Sequence, residues 1–412
     1  MNKISTREFI QQKFAEYYKQ NLDRIRSPKS SEKREFAFLL FKEKNMLRHK
    51  GFKSAEDFRN LLLNVVPSDV YYSSAYYEKP EEEMGAKGWI GADLIFDIDA
   101  DHIPTPCDKQ HDTWACKNCG TSEHGTKPQR CPKCGDQKFN NVSWPCGICL
   151  ESAKQETIKL VEALDKDFGF TLKELSVAFS GHRGYHVHIE NEAVRTLDSM
   201  ARKEVVDYLT GVGLDPILQG FDFEKGVGPA LEDFGWRGRI AKGTYELLSS
   251  LKDQLEKAGL KNIAEVIPQQ REQILERWKR KGPWGLVTGV GAEGWKKIVR
   301  QAIKRHAVYI DTVVTTDIHR LIRLTNTLHG ETGLLKIEVP VSGIEGFDPF
   351  KSAVAFKHDM VTVDVSGAPQ FRLEDNTYGP YKNQRIELPT AAAMMLLCKG
   401  AAKMMEEKTV VQ

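Results

Sequence analysis

The sequence predicts an α/β protein: a mixed β-sheet core, a helical subdomain and a metal-held module within one chain. Three observations carry this. Residues Leu94-Ile95-Phe96-Asp97-Ile98-Asp99-Ala100-Asp101 alternate apolar and acidic side chains, the period of a strand. Seven cysteines crowd into 107–149, a stretch too poor in core formers to hold itself together. Residues 195–305 run in long helical periods with few strand signals.

The acidic stretch is the part with chemistry in it. On a strand, Asp97 and Asp99 share one face while Phe96 and Ile98 turn to a core. Two carboxylates so placed can ligate a pair of hard cations and clamp both oxygens of an in-line phosphoryl displacement. Acids flanked by hydrophobic residues are costly without a metal or other partner.

Composition limits the rest. The 412 residues are 41% hydrophobic and 28% charged, an ordinary globular balance sufficient for two to three domains. No apolar run approaches a membrane span, and the polar start of the chain does not read as a signal peptide, so a cytoplasmic protein is expected. A net charge of +2 means that nucleic-acid affinity must come from local basic patches.

In chain order, Thr6 to Lys19 has helical spacing, Arg34 to Leu40 alternates as a strand, and Ser54 caps a helix reaching Val65. Asp69 to Tyr77, rich in Tyr and Val, reads as a strand leading towards the acids. Cys116-x2-Cys119 and Cys131-x2-Cys134, eleven residues apart, have zinc-ribbon spacing. Cys107, His111, Cys146 and Cys149 remain for a second site, with His102 and His124 also available. Both sites are structural, since full thiolate shells leave no open position.

Ser152 to Asp167 is an amphipathic helix. Leu175 to Phe179 and Tyr185 to Ile189 form a hairpin whose turn, Ser180-Gly181-His182-Arg183-Gly184, carries a hydroxyl, an imidazole and a guanidinium. Helices are predicted over Ala241 to Ala258, Ala264 to Lys281 and Glu293 to His306. Val308 to Val314 returns to β-branched alternation, making Asp311 a candidate third acid. Thr390 to Met405 reads as an Ala/Met-rich helix, with Cys398 packed on its apolar side. The domain boundaries follow: core 1–106, zinc module 107–149, core 150–212, helical subdomain 213–300 and core 301–412.

The order of these motifs resembles that of the catalytic small subunit of archaeal and eukaryotic DNA primases, the archaeal form more closely. Arg34-Glu35-Phe36, Asp97-Ile98-Asp99, the Cys/His knuckle, Ser180 to His186, Asp311 and Arg320-Leu321-Ile322-Arg323 to Leu328-His329-Gly330 stand in the family's sequence from about residue 30 to 340. The resemblance implies the primase-type catalytic core. Asp97, Asp99 and Asp311 would hold catalytic Mg²⁺ or Mn²⁺. Ser180, Arg183, His186, Arg323 and His329 would hold the nucleotide triphosphate, assisted by Arg34 and His182. It also implies that Cys107, His111, Cys146 and Cys149 form a zinc knuckle. A large subunit, a single-stranded DNA template and NTPs are the implied partners, with dNTP use left open.

Two departures stand out. An inserted ribbon, Cys116/Cys119/Cys131/Cys134, occupies 112–145 with Lys117, Lys127, Arg130, Lys133 and Lys138, charges suited to a template surface. Thr325-Asn326-Thr327 and Glu331 replace the family's Pro-Gly-Ser and a lysine. The competing readings are a primase-polymerase acting in repair and a non-catalytic zinc-ribbon nucleic-acid-binding module.

Overall fold

The computed structural model describes residues 4–42, 45–281, 284, 287–356 and 359–404. It divides into two compact units: one of 1–158, 173–202 and 310–412, the other of 159–172 and 203–309. The α/β class is as expected.

Two four-stranded sheets form the core of the first unit. One orders Leu321–Arg323, Asp69–Ser73, Phe36–Leu39 and Met46–Lys50. The other orders Ile337–Val339, Leu175–Phe179, Gly184–Ile189 and Leu94–Asp99. All their pairings are antiparallel, where a mixed sheet was expected. Phe52 packs edge to face against Phe36 and Phe38 of the first sheet and against Phe58, with Phe36, Phe38 and Phe58 buried outright.

Local rules account for most elements. Thr6–Gln20 is a helix closed by a Ser5/Glu8 capping box, and Ser54 accepts from the Asp57 N–H to start Ala55–Val65. The predicted strand 69–77 is two, Asp69–Ser73 and Ala75–Tyr77, in different sheets. The helix expected from Ser152 begins earlier, at Gly147. The apolar helix Thr390–Cys398 buries Ala392 to Leu397 and stops before Gly400, whose φ of +69° favours glycine. Ala402–Met404 then pairs as a strand with Met360–Ala368, and Met405 lies outside the described residues.

The second unit is helical and packs around Trp236, Trp278, Trp284 and Trp295. The span expected as one helix, 241–258, is two, Gly235–Ser249 and Lys252–Lys257. The Ser249 and Ser250 hydroxyls return to the Tyr245 and Glu246 carbonyls, and Ser250 turns extended.

Candidate functional site

The acid strand and the hairpin meet in register, with His186 opposite Asp97 and Gly184 opposite Asp99. His186 Nε2 lies 3.5 Å from Asp97 Oδ1. Gly184 permits this pairing, because a Cβ there would sit 2.1 Å from the Ile98 carbonyl oxygen. Gly181 turns the chain at φ +89°, and the Ser180 hydroxyl accepts from the His182 and Gly184 N–H groups.

Asp311 corrects one expectation. Val308 to Val314 forms no strand; Asp311 instead caps the short helix Thr312–Thr316, its carboxylate accepting from the Val313 and Val314 N–H groups. That capping bond outweighs the β-preference of the Val/Thr run. Asp311 still reaches the acid strand, because its own N–H donates to the Asp97 carbonyl at 2.8 Å.

A cavity of about 190 Å³ lies between the two sheets. Asp97, Asp99, Ser180, His182 and His186 come to it from one side, Tyr71, Arg320 and Arg323 from the other, with His329 from the following loop. Burial, then repulsion from Asp99 and Asp311, pushes the Asp97 carboxyl up to about 7. Burial also raises Asp99, against the pull of Arg183. His182, His186 and His329 are held well below the usual imidazole range, chiefly by burial. Mutually repelling carboxylates beside neutral donors suit a divalent cation with an anionic ligand.

Not every expected residue arrives. Arg34 is fully buried, bonded to the Lys29, Ser73 and Ser74 carbonyls, the Tyr76 hydroxyl and Asp93. Arg183 is likewise fully buried, ion-paired with Asp101 and, at 2.6 Å, with Asp112 of the cysteine-rich segment. Neither lines the cavity, and both are engaged by partners within the fold. Arg183→Met is therefore expected to destabilise the fold by about 3–5 kcal/mol, the cost of stranding a buried charge. Thermal unfolding measures this; an unchanged melting temperature with a raised nucleotide KM would return Arg183 to the ligand.

Two lysines escaped sequence reasoning. Lys336 is buried, donates to the Arg323 carbonyl at 2.7 Å and is lowered to about 7, first by burial and then by Arg323. Its signal was a single cation inside the apolar run Leu334 to Ile337. Lys399, 2% exposed, reaches His182 Nε2 at 2.8 Å from the end of the C-terminal helix, and local sequence gave no sign of it.

The cysteine-rich segment gathers two donor groups, Cys107/His111/Cys146/Cys149 and Cys116/Cys119/Cys131/Cys134, each within 4.8 Å. Sulfur separations of 3.4 Å (Cys107–Cys149) and 3.6 Å (Cys116–Cys134 and Cys119–Cys131) approach the edge of a tetrahedron with metal–sulfur bonds of about 2.3 Å. Both groups can hold a metal ion, and the donors fit zinc. Gly120 and Gly135 close the ribbon's knuckles with N–H bonds to the Cys116 and Cys131 carbonyls. Asp93, His188 and Glu190 also converge, but Arg34 and Lys29 already neutralise the two carboxylates.

Residues 143–341 match the family model described as DNA primase small subunit. The DNA primase small subunit PriS of Cenarchaeum symbiosum is 34% identical over 399 residues, covering 95% of this chain and 97% of that protein. Those of Methanothrix thermoacetophila and Archaeoglobus fulgidus are 33% and 34% identical, covering 97% and 96% of this chain and 98% of each relative. Similarity of this extent defines the class, a nucleotidyltransferase-type enzyme. The chain belongs to the DNA primase small subunit family.

Proposed function

We propose that this chain synthesises short primers on single-stranded DNA from NTPs, as the catalytic partner of a large subunit. The observation that carries the reading is the convergence of Asp97, Asp99 and the basic and hydroxyl side chains on one cavity, with Asp311 bonded to the same strand. Asp97, Asp99 and Asp311 would hold Mg²⁺ or Mn²⁺, which supplies Lewis acidity at the attacked phosphorus and the leaving group. Arg323, held by Asp69 and stacked 5.1 Å over Tyr71, is fixed to face a phosphate. Ser180, His186 and His329 add neutral donors that orient the triphosphate, so that this chain's contribution is mainly positioning and electrostatics. The two cysteine groups hold structural zinc.

The test is synthesis on an unprimed single-stranded template with labelled nucleotides, with and without the large subunit. De novo dinucleotide formation supports a primase, whereas extension of supplied primers alone with both subunits present favours the repair polymerase.

The ribbon, in this reading, extends the template surface. Lys117, Lys127, Arg130, Lys133 and Lys138 are all exposed on it. Trp114 and Asn141 pair across its base. Replacing 115–140 by an Asn-Gly turn should weaken single-stranded DNA binding and flatten its salt dependence, while melting stays cooperative. Unchanged affinity and primer yield would remove the ribbon from the template path.

A further inference from the structure

Two imidazoles face each other across the cavity wall, His182 and His329, with ring centroids 5.0 Å apart and planes inclined by 25°. Each has one ring nitrogen already occupied. Lys399 Nζ lies 2.8 Å from His182 Nε2, and the Glu331 backbone N–H donates to His329 Nδ1 at 3.2 Å. An ammonium has no lone pair and can only donate. An imidazole nitrogen that accepts is unprotonated, which places the ring's single proton on its other nitrogen.

We infer that Lys399 is a positioning residue for nucleotide binding: it locks His182 as the Nδ1–H tautomer, while the Glu331 backbone locks His329 as Nε2–H. The stacked pair then offers two neutral N–H donors to an anionic ligand. This rests on the triphosphate reading of the cavity.

The surroundings suit the task. Lys399 follows the buried helix Thr390–Cys398, so its side chain starts from a fixed point. Its nearest carboxylate, Glu331, is 3.8 Å away and itself 66% exposed, leaving His182 the closer partner. Ser143 Oγ approaches the same imidazole nitrogen at the longer distance of 3.4 Å. The turn is braced separately, by the Thr332 hydroxyl donating to the Gly181 carbonyl at 2.6 Å. Burial and the charges of Lys399 and Arg323 favour neutral His182 and outweigh a hydrogen bond with the Ser143 backbone that favours its charge. Two neutral donors can bind phosphate oxygens without adding charge beside Arg323, which would otherwise repel them.

The test pairs kinetics with spectroscopy. Lys399→Met keeps the apolar stem and removes the donor. It should raise the nucleotide KM about tenfold, the effect of losing one charge-assisted orientation, with kcat within about threefold. Lys399→Arg should restore most of the affinity. Ring ¹⁵N spectra of histidine-labelled wild-type protein, assigned with His182→Gln and His329→Gln, should show protonated Nδ1 on His182 and protonated Nε2 on His329. Lys399→Met should erase the preference at His182 and leave His329 unchanged. An unchanged KM in Lys399→Met, or protonated Nε2 on His182 in the wild type, overturns the proposal. Should the wild type incorporate no nucleotide, the primase reading falls and the tautomer spectra alone decide Lys399.

Discussion

Replacing Asp97 and Asp99 together by alanine is expected to reduce primer synthesis at least about a thousandfold, the several kcal/mol of charge stabilisation that a metal site supplies. The same change should not unfold the protein. The Asp97 carboxyl sits at about 7 in the fold because burial and its acidic neighbours penalise its charge. A carboxyl whose folded value exceeds its unfolded one, about 3.9, favours the fold most at low pH. In metal-free protein that contribution declines as pH rises from about 4 to about 7. With its side chain a quarter exposed, the loss is on the order of 2 kcal/mol after screening. Asp97→Asn should flatten this decline, and Mn²⁺ should raise the wild-type melting temperature at pH 7 while leaving the variant almost unmoved. Thermal scans across pH with and without Mn²⁺ measure both. An active double variant, or melting that is blind to Mn²⁺, would remove these acids from the metal site.

The second large effect belongs to the knuckle. Cys149→Ser should halve the bound zinc, from two ions per chain to one, because the two donor groups are separate. A structural zinc site of this kind carries about 10–16 kcal/mol of apparent binding free energy. Its loss should open 107–149 to protease. The damage should also reach the cavity. Asp112, next to His111, accepts from the Trp144 N–H and from Arg183, whose neighbour Gly184 pairs with Asp99. A raised nucleotide KM should therefore accompany zinc loss. Elemental analysis and limited proteolysis check this; unchanged zinc content would mean that Cys149 is not a ligand.

Much of this was legible in the sequence because the signals are local. Alternation fixes which face Asp97 and Asp99 share, a glycine-bounded turn fixes the hairpin, and cysteine spacing marks the ribbon, whereas the knuckle's donor set came from the family resemblance. What was hidden depends on partners far along the chain. Arg183 reads as a phosphate ligand in sequence, and its ion pairs with Asp101 and Asp112 show only in the fold. Asp311 looks like a strand end until its carboxylate is seen to cap a helix. Lys399 stands 217 residues from His182. Even the departure at Asn326 resolves this way: its φ of +58° is a conformation that asparagine, among non-glycine residues, tolerates well.

The Arg183–Asp112 bridge has a thermodynamic consequence. On the proposed reading it would join a cysteine-held ion to a nucleotide cavity through one guanidinium, and binding free energies at coupled sites are reciprocal. If losing zinc loosens the grip on nucleotide, then nucleotide in the cavity must retain zinc by the same factor. An enzyme engaged with substrate would be the one slowest to surrender its metal to a competing chelator.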